Sequence, residues 1–147
     1  MSAPAPQTYA NHRRLHPLFH FVLSLLVVAV LVGSLIYLVR SLADNGQVGI
    51  SLLFMGIACA LVILFLLVRS YAAKVQDRAI RAEEQLRHFV LTGRLLDPRL
   101  TMRQIIALRF AGDEEFPALS QRAAEEQLAP DAIKRAVREW RGDYHRV

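Results

Sequence analysis

Apolar positions gather in two long runs. Leu18 to Val39 contains no charged residue, and neither does Val48 to Val68. At about 1.5 Å rise per residue, runs of this length cross the roughly 30 Å hydrocarbon layer of a bilayer as helices. In lipid a helix satisfies its own backbone N–H and C=O groups, which an irregular segment does not. The pattern predicts membrane spans at 17–39 and 48–68, joined by an external loop at 40–47. Pro17 suits the first turn of the first span, where its missing N–H is not needed. Arg13 and Arg14 before the run and Ser41-Leu42-Ala43 after it imitate a signal peptide. The run is too long for that, and a second one follows at once.

Small residues recur four apart in both runs: Ala29 and Gly33, then Gly56 and Ala60. Small faces let helix backbones approach closely. A hairpin turning at Asp44-Asn45-Gly46 sets Gly33 level with Gly56 and Ala29 level with Ala60. The expectation is a seam between the two spans, or else a face that meets a second copy.

Past Val68 the pattern changes. No Pro or Gly interrupts the chain from Ala58 to Thr92, and Val68, Ala72, Val75, Ala79, Ala82, Leu86 and Phe89 recur in alternate steps of four and three. That is a heptad seam. It extends the second span as an amphipathic cytoplasmic helix over 69–92. Asp77, Arg81, Glu84 and Arg87 fall on the opposite face, and Arg78 and Glu83 take g and e positions. The seam receives either the chain's own C-terminal helices or the same seam of a second copy.

The segment 93–147 predicts a helical cap. Gly93 ends the long helix. Thr101 and Gln104 form a capping box that opens a helix running to Ala111. Asp113-Glu114-Glu115 begins the next, to Leu128, with the acids at its positive end. Pro130 starts the last, to Arg141, with Ile133, Ala136, Val137 and Trp140 on one stripe. The fold class is thus an all-α membrane protein: a two-helix hairpin, an extended second helix and a C-terminal cluster of about three short helices. Residues 1–16 read as a disordered basic tail.

Charge orients the hairpin. The formal net charge is +5, from 18 Lys and Arg against 13 acids. Arg13 and Arg14 precede the first span. Arg69, Lys74, Arg78 and Arg81 follow the second, while the loop holds Arg40 against Asp44. Positive residues stay inside, so both termini face the cytoplasm. Arg13, Arg14, Arg69, Lys74 and Arg78 suit anionic lipid headgroups. The acids between 112 and 131 oppose a nucleic-acid footprint, and a helix that starts with acids is wrong for phosphate.

Chemistry is sparse. His12, His16 and His20 repeat every four residues, but Pro17 breaks a common helix and no carboxylate completes a metal site. The lone Cys59 sits in a span as a small packing residue. No ionisable residue other than His20 lies within the spans, which opposes an ion path. There is no nucleophile–base set or phosphate loop, so neither a cofactor nor an enzymatic activity is expected.

Several stretches resemble a family. Tyr9-Ala10-Asn11-His12, Pro17-Leu18-Phe19-His20-Phe21, Leu100 to Phe110, Asp113 to Leu119 and the ending Trp140 to Val147 resemble bacterial two-span inner-membrane proteins that carry a domain of unknown function. The resemblance runs from Tyr9 to the end. It implies a bacterial inner membrane and brings no activity, cofactor or catalytic residue. The functional expectation is a non-enzymatic anchor presenting a helical cytoplasmic domain to a protein partner or to itself. A metal or small-molecule sensor using the N-terminal histidines and an accessory subunit of a membrane enzyme complex are the alternatives.

Overall fold

The computed structural model describes residues 8–9 and 16–142. His12, Arg13, Arg14, His145 and most of the basic tail lie outside them. The described residues form helices without strands. A π-helical turn, Leu18–Leu23, runs into α1 (Ser24–Ala43). Then come α2 (Val48–Thr92), α3 (Met102–Leu108), α4 (Phe116–Glu125) and α5 (Pro130–Ala136). The chain divides into two units, residues 15–72 and residues 73–147, the second also taking in 1–14. Each is described by itself.

The first unit is an antiparallel hairpin. The Phe19 ring stacks on Phe65 with centroids 4.6 Å apart, and Tyr37 meets Phe54 edge-on. α1 outlasts its apolar run by four residues. Asn45 then turns the chain at φ 48°, a left-handed conformation that Asn tolerates, and the Gly46 N–H donates to the Ser41 carbonyl at 2.8 Å. Both helices are long and apolar enough to cross a membrane, with mean hydropathy of 2.8 and 2.9 over an 18-residue stretch of each.

The seam of the hairpin is not where the glycines are. Ser34, Ser41, Ser51 and Ala58 are buried, whereas Ala29, Gly33, Gly56 and Ala60 are exposed. A Cβ built on Gly33 or Gly56 would meet nothing within 4 Å. The expected intramolecular seam is therefore corrected to a serine–alanine one. Ser41 and Ser51, like Ser34 and Ala58, lie at equal sequence distance either side of Gly46. The Ser51 hydroxyl donates to the Val48 carbonyl at 2.8 Å, so this polar group enters the seam already satisfied.

In the second unit α3, α4 and α5 close a small core against Ile80 of α2. Phe116, Ile133, Leu108 and Ile105 are its largest fully buried side chains. Each contributes roughly 1.5–3 kcal/mol by leaving water. Gly93, at φ 71°, ends α2, and its N–H returns to the Phe89 carbonyl. The Thr101–Gln104 capping box is present. Gln104 does more than cap: its Nε2 donates to the carbonyls of Leu128 at 3.0 Å and Ala123 at 3.3 Å. One amide side chain ties α3 to the turn after α4.

Four expected helix bounds are corrected. α3 stops at Leu108, α4 begins only at Phe116 and stops at Glu125, and α5 ends at Ala136. The last has a clear cause. Val137 turns extended, with ψ 122°. The Gly112 N–H then donates to the Glu139 carbonyl, and the Arg141 N–H to the Phe110 carbonyl. The Glu115 carboxylate accepts from the backbone N–H groups of Arg138 and Glu139. Glu115 thus does two things: it is the N-cap of α4, as an acid at a helix start should be, and its carboxylate holds the C-terminal strap. Tyr9, which the sequence places in an unstructured tail, donates to Asp131 Oδ1 at 2.7 Å and lies 5.4 Å below the Arg135 guanidinium.

Candidate interaction surface

Beyond residue 72 α2 carries two stripes, and they have opposite fates. One is Ile80, Glu84 and Arg87, at helical spacing. Ile80 and Glu84 are buried, and Arg87 retains 9% of its side-chain exposure. The other is the heptad seam, which is exposed from end to end.

Arg87 is the hub of the first stripe. Its Nε donates to Asp113 Oδ1 at 2.7 Å, its Nη1 to Glu84 Oε2 at 3.0 Å and its Nη2 to the Ala111 carbonyl at 2.6 Å. Its guanidinium also lies over the Phe116 ring, 4.2 Å from the centroid. A flat cation that forks three ways suits this place, and Lys would not. His88, one residue on, sets its ring edge-on to Phe116. Burial pushes the Glu84 carboxyl up from its ordinary 4.5, against the opposing pull of Arg87 and Arg141. Asp113 is thus a partner of Arg87, not the helix starter that its position implied.

The sequence assigned Glu84 and Arg87 to a solvent face. The one signal to the contrary was Ile80, a large apolar residue standing off the seam.

With the cap held there, the seam stays in the open. Val75 is 68% exposed and Leu86 64%, and Phe89 is half-exposed. Ala72, Ala79 and Ala82 are exposed too. The expectation that the seam receives the chain's own helices is corrected: the buried Glu84–Arg87 pair draws them to the other side. Arg78 and Glu83 are exposed on its flanks.

Of the expected headgroup contacts, Arg69, Lys74 and Arg78 are exposed, and Arg13 and Arg14 lie outside the described residues. Lys74, Arg78 and Arg81 line an open depression of about 490 Å³ with Val75, Asp77 and Met102. Among the described residues no three His, Cys, Asp or Glu side chains are grouped to hold a metal ion. His20 Nδ1 lies 3.0 Å from the His16 carbonyl, and His88 Nδ1 lies 2.8 Å from that of Arg94. These contacts are to the backbone.

The model of a family of unknown function, DUF6526, matches residues 1–147. The chain belongs to DUF6526. Neither a curated protein nor a solved structure matches it. Membership of DUF6526 agrees with the resemblance to a family of unknown function and assigns no activity, so function rests on the geometry.

Proposed function

We propose that this DUF6526 protein is a non-enzymatic membrane anchor whose hairpin crosses a bilayer twice and presents a helical cytoplasmic domain to a protein partner. One observation carries the reading. The hairpin is inside-out: Ser34, Ser41 and Ser51 are buried, while Leu25, Val28, Leu53, Ile63 and Leu66 are exposed. Water would reverse that arrangement, and lipid favours it. A buried helix of a soluble protein or a cleaved leader passes the same length test, but neither needs two helices apolar all round and packed on each other.

The bases after the second span, set against a nearly neutral loop, support cytoplasmic termini. A bacterial inner membrane is the setting that the sequence resemblance implies. Arg69 falls at headgroup depth, where it is worth about 1 kcal/mol on an anionic surface, and Lys74 lies close beyond it.

The test is topological. Asn45→Cys in a Cys59→Ser background should react with a membrane-impermeant maleimide from outside intact cells. A reporter fused at Val147 should be active only in the cytoplasm. Release of the chain by alkaline carbonate, or a reporter at Val147 active outside, would refute the anchor.

A further inference from the structure

We propose that the exposed seam of α2, residues 75–90, binds the same seam of a second copy of this chain, parallel and in register. The proposal rests on the anchor reading, because a bilayer is what sets two copies side by side with their helices pointing the same way.

The seam needs a partner. Val75, Leu86, Phe89 and Val90 expose half or more of their surface, Val90 as much as 74%. An apolar stripe this long seldom faces water uncovered. The cap cannot cover it, being fixed on the other face by Ile80, Glu84 and Arg87.

The spacing and the flanking charges choose the partner. Val75, Ala79, Ala82, Leu86 and Phe89 recur every 3.5 residues on average, the period of helices wound about each other. Ala79 and Leu86 take a positions; Val75, Ala82 and Phe89 take d. Arg78 is then g and Glu83 the following e. In a parallel pair each g residue faces the e residue five further along on the other helix. Arg78 of each copy meets Glu83 of the other, and two-fold symmetry makes the match twice. One sequence supplies both halves of it. In an antiparallel pair g faces g and e faces e, and the match is lost.

Membrane confinement supplies what the seam lacks. Three alanine-rich heptads bind weakly in free solution. Two anchored copies share one depth, so the register is set in advance and the effective concentration is high. Arg78 stands ten residues beyond Val68, about 15 Å along the helix. That is past the headgroup layer, about 5–7 Å thick in each leaflet, and leaves Arg78 to pair with protein.

The test uses the full chain in native membranes, with Cys59→Ser throughout. Ala79→Cys, Ala82→Cys and Leu86→Cys should each cross-link to themselves severalfold more than Arg81→Cys, which sits off the seam. In the Ala79→Cys chain, Arg78→Glu or Glu83→Arg alone should lower the cross-linked fraction severalfold, and the two together should restore it. Seam yields no higher than Arg81→Cys overturn the proposal. So does a charge swap that fails to rescue, or an Ala79→Cys product that contains only another protein. Maleimide labelling of Asn45→Cys separates the two readings. Labelling without seam cross-links removes the dimer and leaves the anchor, whereas loss of labelling with a carbonate-soluble chain removes both.

Discussion

Arg87→Met should release the cap from α2 while keeping the apolar stem of the side chain. The Arg87 and Glu84 side chains are 9% and 6% exposed, so solvent screens their attraction little. Removing one member of such a buried pair costs about 3–5 kcal/mol, chiefly because the other charge is left uncompensated. Arg141, 4.0 Å from Glu84 Oε1 and 55% exposed, is a weak substitute. The Ala111 carbonyl loses a charged donor, worth roughly 1.5–3 kcal/mol. The contact to Asp113, which is 65% exposed, adds about 0.2–1 kcal/mol. One side chain serves all three, so the losses overlap and the net stays near ~3–5 kcal/mol. A unit of about 89 residues is stable by only ~4–13 kcal/mol at about 0.05–0.15 kcal/mol per residue. The substitution therefore removes a large share of the total. The chain's single tryptophan reports on it: Trp140 packs against Phe110 at 5.0 Å. Its fluorescence is followed through a urea titration in detergent micelles. Glu84→Gln with Arg87→Met should recover part of the loss, with a coupling of about 1–3 kcal/mol. A midpoint for Arg87→Met equivalent to less than ~0.5 kcal/mol from the parent would refute the hub as the cap's attachment.

Three further outcomes are expected. Gln104→Glu keeps the capping acceptor but loses both donors to the Ala123 and Leu128 carbonyls, so it should destabilise the cap by about 1–3 kcal/mol in the same titration. Glu84 and Asp97 give pH dependences of opposite sign. Burial raises the Glu84 carboxyl above 4.5, so the folded chain holds that proton more tightly than the unfolded one. Its contribution is full below 4.5 and is lost as pH rises through the folded value; Glu84→Gln should abolish this decline in thermal midpoint. Asp97, hydrogen-bonded by Arg99, is lowered from 3.8 to about 2. Its contribution is present above 3.8 and is lost as pH falls toward 2, and Asp97→Asn should flatten the acid limb. In the hairpin, Gly33→Ala and Gly56→Ala should leave the detergent thermal midpoint unchanged. Ser51→Leu should lower it by several degrees, since Ser51 is fully buried and a larger side chain overpacks the seam.

The apolar runs by themselves determined two helices long enough for a bilayer, because an uninterrupted charge-free stretch leaves the backbone no other way to satisfy itself in lipid. Local signals likewise set the unbroken helix to Thr92, its stop at Gly93 and the Thr101–Gln104 box, all of which depend on neighbours within a few residues. Which face of each helix is covered was decided only in three dimensions. Glycine spacing marked a seam that close packing assigns to Ser34, Ser51 and Ala58. The heptad marked a face for the cap that a buried Glu84–Arg87 pair, capped by Asp113 and the Ala111 carbonyl, outcompetes. The early end of α5 has the same origin: backbone groups of Phe110 and Gly112, with the Glu115 carboxylate, bind the strap more than 20 residues away along the chain. Periodicity shows that a helix has an apolar face, but long-range partners choose which face the rest of the molecule covers.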